Sequence, residues 1–226
     1  MAIFSLRFPN KLLVRRMLSN LGELSGEKIL RGRLQEDEWQ RFNDSETKLY
    51  KAPIYLYDAP NPTIAEISDK AHFLVKTENI KVLFIDYLQL IETNNGHNEK
   101  TEQEINQIVQ SLRILARELD IPIIVLMRLN EPTNTQSLHY GARPELNDLP
   151  ELYNIRQLVN VICILYIPEN FHITQDEHGN STIGKAELIV AQNYLETGIV
   201  HLQTHLSYSQ FLNDEHSSET DANKPF

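Results

Sequence analysis

Asp86 closes a short apolar run, Val82-Leu83-Phe84-Ile85, inside the stretch KVLFIDYLQL from Lys81 to Leu90. Four apolar residues in succession read as a strand buried on both faces. A carboxylate at the end of such a strand is costly unless something pairs it. In open α/β sheets the same end is where ligands bind. An aspartate so placed can hold the Mg²⁺ of a bound triphosphate. It can equally cap the loop that follows, and four apolar residues plus Asp do not separate the two. Few other residues have the spacing for chemistry. His201 and His205 share a face of an expected strand without carboxylate or Cys company, so no metal site is expected there. The lone Cys163 sits in an apolar run and reads as a small buried hydrophobe. One cysteine excludes a disulfide framework, which suits a cytoplasmic protein. Lys11, Arg15, Arg16, Lys28, Arg31 and Arg33 form a basic cluster, read either as a solvated helix face or as a contact for DNA or a partner.

The elements that must position these residues follow from the periodicities. The 226 residues, 41% of them apolar, suit one domain with additions. No apolar run reaches the ~20 residues needed to span a bilayer, and the N-terminus lacks the pattern of a secretory signal. The formal charge of −10 is uneven: residues 1–56 carry ten Lys/Arg against seven Asp/Glu, and the rest eleven against 24. An acidic whole argues against strong nonspecific nucleic-acid binding by one subunit.

Ala2 to Leu6 reads as a strand, broken by Phe8-Pro9-Asn10. A helix to Leu21 follows, with Asn10 as its N-cap, and then helices over 27–33 and 36–50. Pro53 to Asp58 is a strand. Thr63 and Glu66 form a capping box that opens a helix to Glu78. After the Asp86 strand, residues 101–119 carry one apolar stripe and form the clearest helix. Strands follow at 122–126 and 159–167. Residues 130–154 are a long loop. Phe171–Thr174 and Ala186–Ala191 are expected to form a hairpin, and Gly198–Leu206 a last strand with Phe211 near its end. Residues 213–226 read as an acidic, disordered tail. This order fits an α/β domain with a mainly parallel sheet covered by helices and an antiparallel C-terminal extension.

Several segments, in order, resemble one family. Ala2-Ile3-Phe4-Ser5-Leu6, Leu12-Val14-Arg16-Met17-Leu18, Ile85-Asp86-Tyr87-Leu88-Gln89-Leu90 and Ser111-Leu112 through Leu119 are four of them. Leu129-Asn130, Arg143-Pro144, Asp148-Leu149 with Glu151, and Ile155 with Gln157 complete the set. Over about residues 2–212 the chain resembles the C-terminal, RecA-like motor domain of replicative DNA helicases of the DnaB family. The resemblance implies a three-layer RecA-like fold with helices on both sheet faces, and ancestry in ATP-dependent DNA unwinding. It places Asp86 at the Walker B position, with Gln89 beside it.

It also exposes departures. No GxxxxGK[ST] phosphate loop occurs in the chain, which begins after the point where the family carries one. The resemblance places the family's catalytic glutamate at Arg7, and a cation cannot take a proton from water. The phosphate-sensing glutamine falls at Arg128. The late Lys-x-Arg pair falls at Gln192 and Tyr194, so the arginine finger is absent. In the loop that meets single-stranded DNA only Glu151 carries over directly, whereas Pro150 and Tyr153 replace an arginine and a glycine; Arg143 is left as a single cation for a phosphate, a weak and salt-sensitive contact.

Two readings result. One is a helicase motor domain, inactive as this chain unless a separate polypeptide supplies the phosphate loop. The other is a pseudo-ATPase that caps or joins a ring of helicase subunits. On either, the isolated chain is expected to show no ATPase activity and no nucleotide binding. No cofactor is expected, with Mg²⁺ and ATP required only if the active reading holds. Single-stranded DNA is expected to bind weakly. Arg7 and Arg128 are expected to pair with Asp86. The sheet is expected to be bare beside Ile3 and Phe84, favouring a homo-oligomer, a partner or poor solubility.

Overall fold

The computed structural model describes residues 1–93, 100–128, 144, 154–176, 178–192 and 196–214. Four strands, β1 (Ala2–Ser5), β2 (Tyr55–Tyr57), β3 (Leu83–Asp86) and β4 (Ile123–Val125), form a parallel sheet in the order β2-β1-β3-β4. Parallel neighbours need long crossovers, and helices supply them. Between β1 and β2 run α1 (Asn10–Gly22), α2 (Gly26–Arg31) and α3 (Glu36–Lys51), while α4 (Ile64–Glu78) joins β2 to β3 and α5 (Glu102–Leu119) joins β3 to β4. The order expected from the sequence is the order found.

Alternation along the strands decides which face is covered. Ala2, Phe4, Leu83 and Ile85 are fully buried and share one core with Ile67, Ala71 and Leu74 of α4 and Ile105, Ile108, Val109, Leu112 and Leu115 of α5. Residues in register point to the same side of a sheet. The intervening row, Leu56, Ile3, Phe84 and Ile124, therefore lies on the opposite face. Its first three members are half-buried and Ile124 is 43% exposed. The anticipated bareness is thus a face, since β1 and β3 are interior strands with neighbours on both sides.

The second sheet is antiparallel, in the order β5-β6-β7-β8, from β5 (Ile162–Tyr166), β6 (Lys185–Gln192), β7 (Gly198–His205) and β8 (Gln210–Asn213). Ile162 and Ile164 tie it to the common core. Here the sequence reading needs three corrections. β6 pairs with β5 and β7, not with Phe171–Thr174. Residues 168–171 form a 3-10 turn opened by Pro168, whose fixed φ suits it. Phe211 belongs to a separate strand, set off from β7 by a 3-10 turn at Leu206–Tyr208. Cys163 lies on the outer face of β5 and is exposed, because alternation turns Ile162, Ile164 and Tyr166 inward instead. Partial burial still pushes its thiol up.

Helix starts show how local chemistry sets the boundaries. Thr63–Glu66 is a reciprocal capping box, as its spacing predicts, and Thr101–Glu104 is a second. Asn10, however, is the first helical residue of α1, not its cap. Its backbone N–H donates to Asp58 Oδ2 at 2.8 Å and its side-chain amide to Asp58 Oδ1 at 3.0 Å. A carboxylate from just beyond β2 thus satisfies the start of α1. The expected long loop at 130–154 and the acidic tail fall largely outside the described residues.

Candidate functional site

The C-terminal ends of β1 and β3 lie side by side. Ser5 is in register with Asp86, and the Leu6 N–H donates to the Asp86 carbonyl at 2.8 Å. Ser5 is 1% exposed, and its hydroxyl donates to the Phe8 carbonyl at 2.7 Å. That bond helps turn the chain at the strand end and sets Arg7 beside Tyr87. The Arg7 guanidinium stands 4.9 Å from the Phe8 ring centroid and 5.9 Å from that of Tyr87. Arg16 of α1 also approaches Phe8, at 4.9 Å. One ring thus holds two cations through its quadrupole.

The anticipated ion pair is not formed. Among the described residues no ion pair involves Asp86, and Arg7 and Arg128 are both exposed. Asp86 is only half-buried. Water can solvate it, so a second charge has little to gain by pairing with it.

Gln89 and Arg128 do meet, through the backbone. Gln89 Nε2 donates to the Arg128 carbonyl at 2.6 Å, and the Arg128 N–H donates to Gln89 Oε1 at 3.2 Å. Together with Leu88 N–H to the Leu126 carbonyl at 2.9 Å, this fastens the turn after β3 to the end of β4. Both polar ends of Gln89 are committed to that turn. Gln192, at the end of β6, donates to the Arg156 carbonyl at 2.8 Å and is 3.4 Å from that of Val159. It staples the strand end to the 3-10 turn at Ile155–Gln157. Tyr194, Arg143 and Glu151 lie outside the described residues.

Phe8 is the residue that sequence reasoning misses. Its sequence context marks it only as part of a strand breaker, yet it organises both arginines. The available signal is an aromatic directly after Arg7 at a strand end. His201, by contrast with its expected isolation, does have a carboxylate neighbour: its Nδ1 is 3.8 Å from Glu187 Oε1 across the β6–β7 pair.

Among the described residues no group of three His, Cys, Asp or Glu side chains could share a metal ion. Asp86 offers one carboxylate, and the group beside it after β1 is a cation that can neither ligate Mg²⁺ nor accept a proton from water. Among the described residues no helix is long and apolar enough to cross a membrane.

Comparison with known proteins bears on this geometry. The family described as "DnaB-like helicase C terminal domain" matches residues 1–213. The replicative DNA helicase DnaB of Mycobacterium leprae is 32% identical over 208 residues, which are 91% of this chain and 33% of that protein. The replicative DNA helicase DnaB of Geobacillus stearothermophilus is 31% identical over 215 residues, 95% of this chain and 46% of that one. Among solved structures, one described as an ATPase domain aligns with a TM-score of 0.79 at 24% identity, covering 94% of this chain and 73% of that one. A DnaB-like replicative helicase, described with its interactions with primase, gives 0.80 at 24% identity, covering 94% and 50%. These two likenesses establish the RecA-like fold. The chain spans a third to a half of the length of the two replicative helicases.

Proposed function

The chain belongs to the DnaB-like helicase C-terminal domain family, and from that premise we propose that it is a member that does not hydrolyse ATP. It keeps the motor scaffold and acts through association, capping or joining a ring of complete helicase subunits in the cytoplasm. One observation carries this reading. At the strand end where the family resemblance places a catalytic carboxylate, a guanidinium stands against Phe8 and Tyr87. A cation at that place cannot take a proton from the attacking water.

The other altered positions support it. Gln192 is not an idle remnant of a site: its side chain is built into local hydrogen bonding. A chain that had merely been divided from its phosphate loop would be expected to keep the family's residues at these places. Restoring turnover would then take several simultaneous changes, not one added segment.

The test is phosphate release from Mg²⁺-ATP by the purified chain, alone, with single-stranded DNA, and with a complete helicase of the family. The chain alone is expected to release no phosphate, with or without DNA. The mixture is expected to turn over no faster than the complete helicase does by itself. Turnover by the chain itself above about 0.1% of a complete subunit's rate would overturn the proposal, since losing an arginine finger alone costs ~10³-fold.

A further inference from the structure

One stripe of α1 borders a cleft, with Leu12 and Arg15 half-buried and Arg16 exposed. Leu12, Arg15, Arg16 and Ser19 follow helical spacing and line one cleft of about 500 Å³ with the start of α2 and the 3-10 turn at Leu206–Tyr208. A helix normally turns apolar residues toward the neighbours it packs against. Here the middle of the stripe is two guanidiniums.

The cleft is built and not incidental. Its two walls are nearly the whole chain apart, yet Asn20 clasps them: its side-chain amide donates to the Ser209 carbonyl at 2.9 Å, and Gln210 Nε2 donates to the Asn20 carbonyl at 2.7 Å. Ser209 holds a left-handed backbone, φ 54°, to make that turn. This is costly for a residue with a Cβ.

Of the polar side chains lining the cleft, Ser19 donates its hydroxyl to the Leu24 carbonyl, while Arg15, Ser25 and Ser207 are uncommitted among the described residues. Arg15 is half-buried, and among the described residues it has no ion-pair or hydrogen-bond partner. Arg16 is steered by Phe8 but carries an unneutralised charge. Ser25 precedes α2 without making a side-chain cap, and Ser207 likewise lacks a side-chain partner among the described residues. The one carboxylate on the rim, Glu27, is taken up by Arg31 at 2.9 Å. Leu30 and Leu206, 65% and 56% exposed, also line the cleft and give it apolar surface.

We propose that this cleft binds a small phosphorylated molecule. Its phosphate sits on Arg15 and Arg16 with the hydroxyls of Ser25 and Ser207, and its apolar portion lies against Leu30 and Leu206. Arginine forks match phosphate oxygens, and the volume suits a small ligand. Asp86 does not line the cleft; the link between the two places is Phe8, whose ring Arg16 shares with Arg7.

The experiment is calorimetric titration of the full chain, in metal-free buffer of low ionic strength, with inorganic phosphate, pyrophosphate and phenyl phosphate. One saturable site is expected, with phenyl phosphate bound several-fold more tightly than inorganic phosphate. Arg15→Gln is expected to weaken binding about tenfold or more. Arg33→Gln removes the same charge outside the cleft and is expected to change it by less than about twofold. Arg15→Lys, which keeps the charge, should retain most of the binding and guards against misfolding as the explanation. No saturable heat up to millimolar ligand, or equal losses in Arg15→Gln and Arg33→Gln, would overturn the proposal. Equal affinity for phenyl and inorganic phosphate would overturn the role given to the apolar side.

Discussion

Arg7 is the residue on which the proposed loss of hydrolysis chiefly rests. The distance from its guanidinium to two aromatic rings matters more than its nearness to Asp86. The sequence made the cation's position legible but not its partner. Charge matching favours an arginine–aspartate pair, whereas a half-exposed carboxylate remains hydrated and the adjacent ring supplies the contact. The same holds for Gln192. Its place at the end of a strand was readable, but the two carbonyls it meets come from a turn more than thirty residues upstream. If Arg7 were the only defect, Arg7→Glu would restore hydrolysis. Because Arg128 and Gln192 also depart, Arg7→Glu is expected to release no more phosphate from Mg²⁺-ATP than the unaltered chain, measured with and without single-stranded DNA.

At the scale of elements, most of the parallel half was legible because its signals are local. Apolar runs marked β1, β3 and β4, and the Thr–Glu spacing marked the start of α4. What failed was non-local: the carboxylate satisfying the start of α1 comes from Asp58, and β6 chose β5 and β7 as neighbours. Glu104 illustrates an element fixed by one side chain. It accepts from the Thr101 N–H at 2.8 Å, the Thr101 hydroxyl at 3.0 Å and the Thr93 hydroxyl at 2.8 Å, while itself only 4% exposed. Glu104→Ala leaves those donors unmet and is expected to cost about 2 kcal/mol in denaturant unfolding. Glu38 plays a similar part between α2 and α3. Lys28 Nζ donates to it at 2.6 Å and the Gln35 N–H at 2.9 Å, and these hold its carboxyl below the usual glutamate range, the lysine contact chiefly. A lowered folded-state pKa gives stability that is present above the unfolded value and lost as pH falls through the folded one. Glu38→Gln is therefore expected to lower stability at neutral pH and to flatten its decline below the ordinary glutamate pKa, so that the two profiles converge in acid. Thermal melts across pH 3 to 7 would check this; parallel profiles would count against it.

Among the described residues, both sheets leave apolar surface uncovered. One is the row from Leu56 to Ile124 on the open face of the parallel sheet, continued at Leu126, which is 49% exposed. The other is the outer face of β5, where Leu165 is 50% exposed beside Cys163, with Val161, equally exposed, just before the strand. Contiguous apolar surface on edge strands favours association. The chain is accordingly expected to be retained by a complete helicase of its family in a pull-down, and retention is expected to be lost when Ile124 and Leu126 are both changed to lysine. Retention unaffected by that change would place the contact elsewhere, and no retention of the unaltered chain would remove the association proposal. The central claim, a surviving scaffold without a working triphosphate site, is tested most directly by titrating Mg²⁺-ATP into the chain and into Asp86→Asn, with and without single-stranded DNA. The prediction is that no association depends on both Mg²⁺ and the Asp86 carboxylate. A micromolar heat signal that needs the metal and vanishes in Asp86→Asn would contradict it.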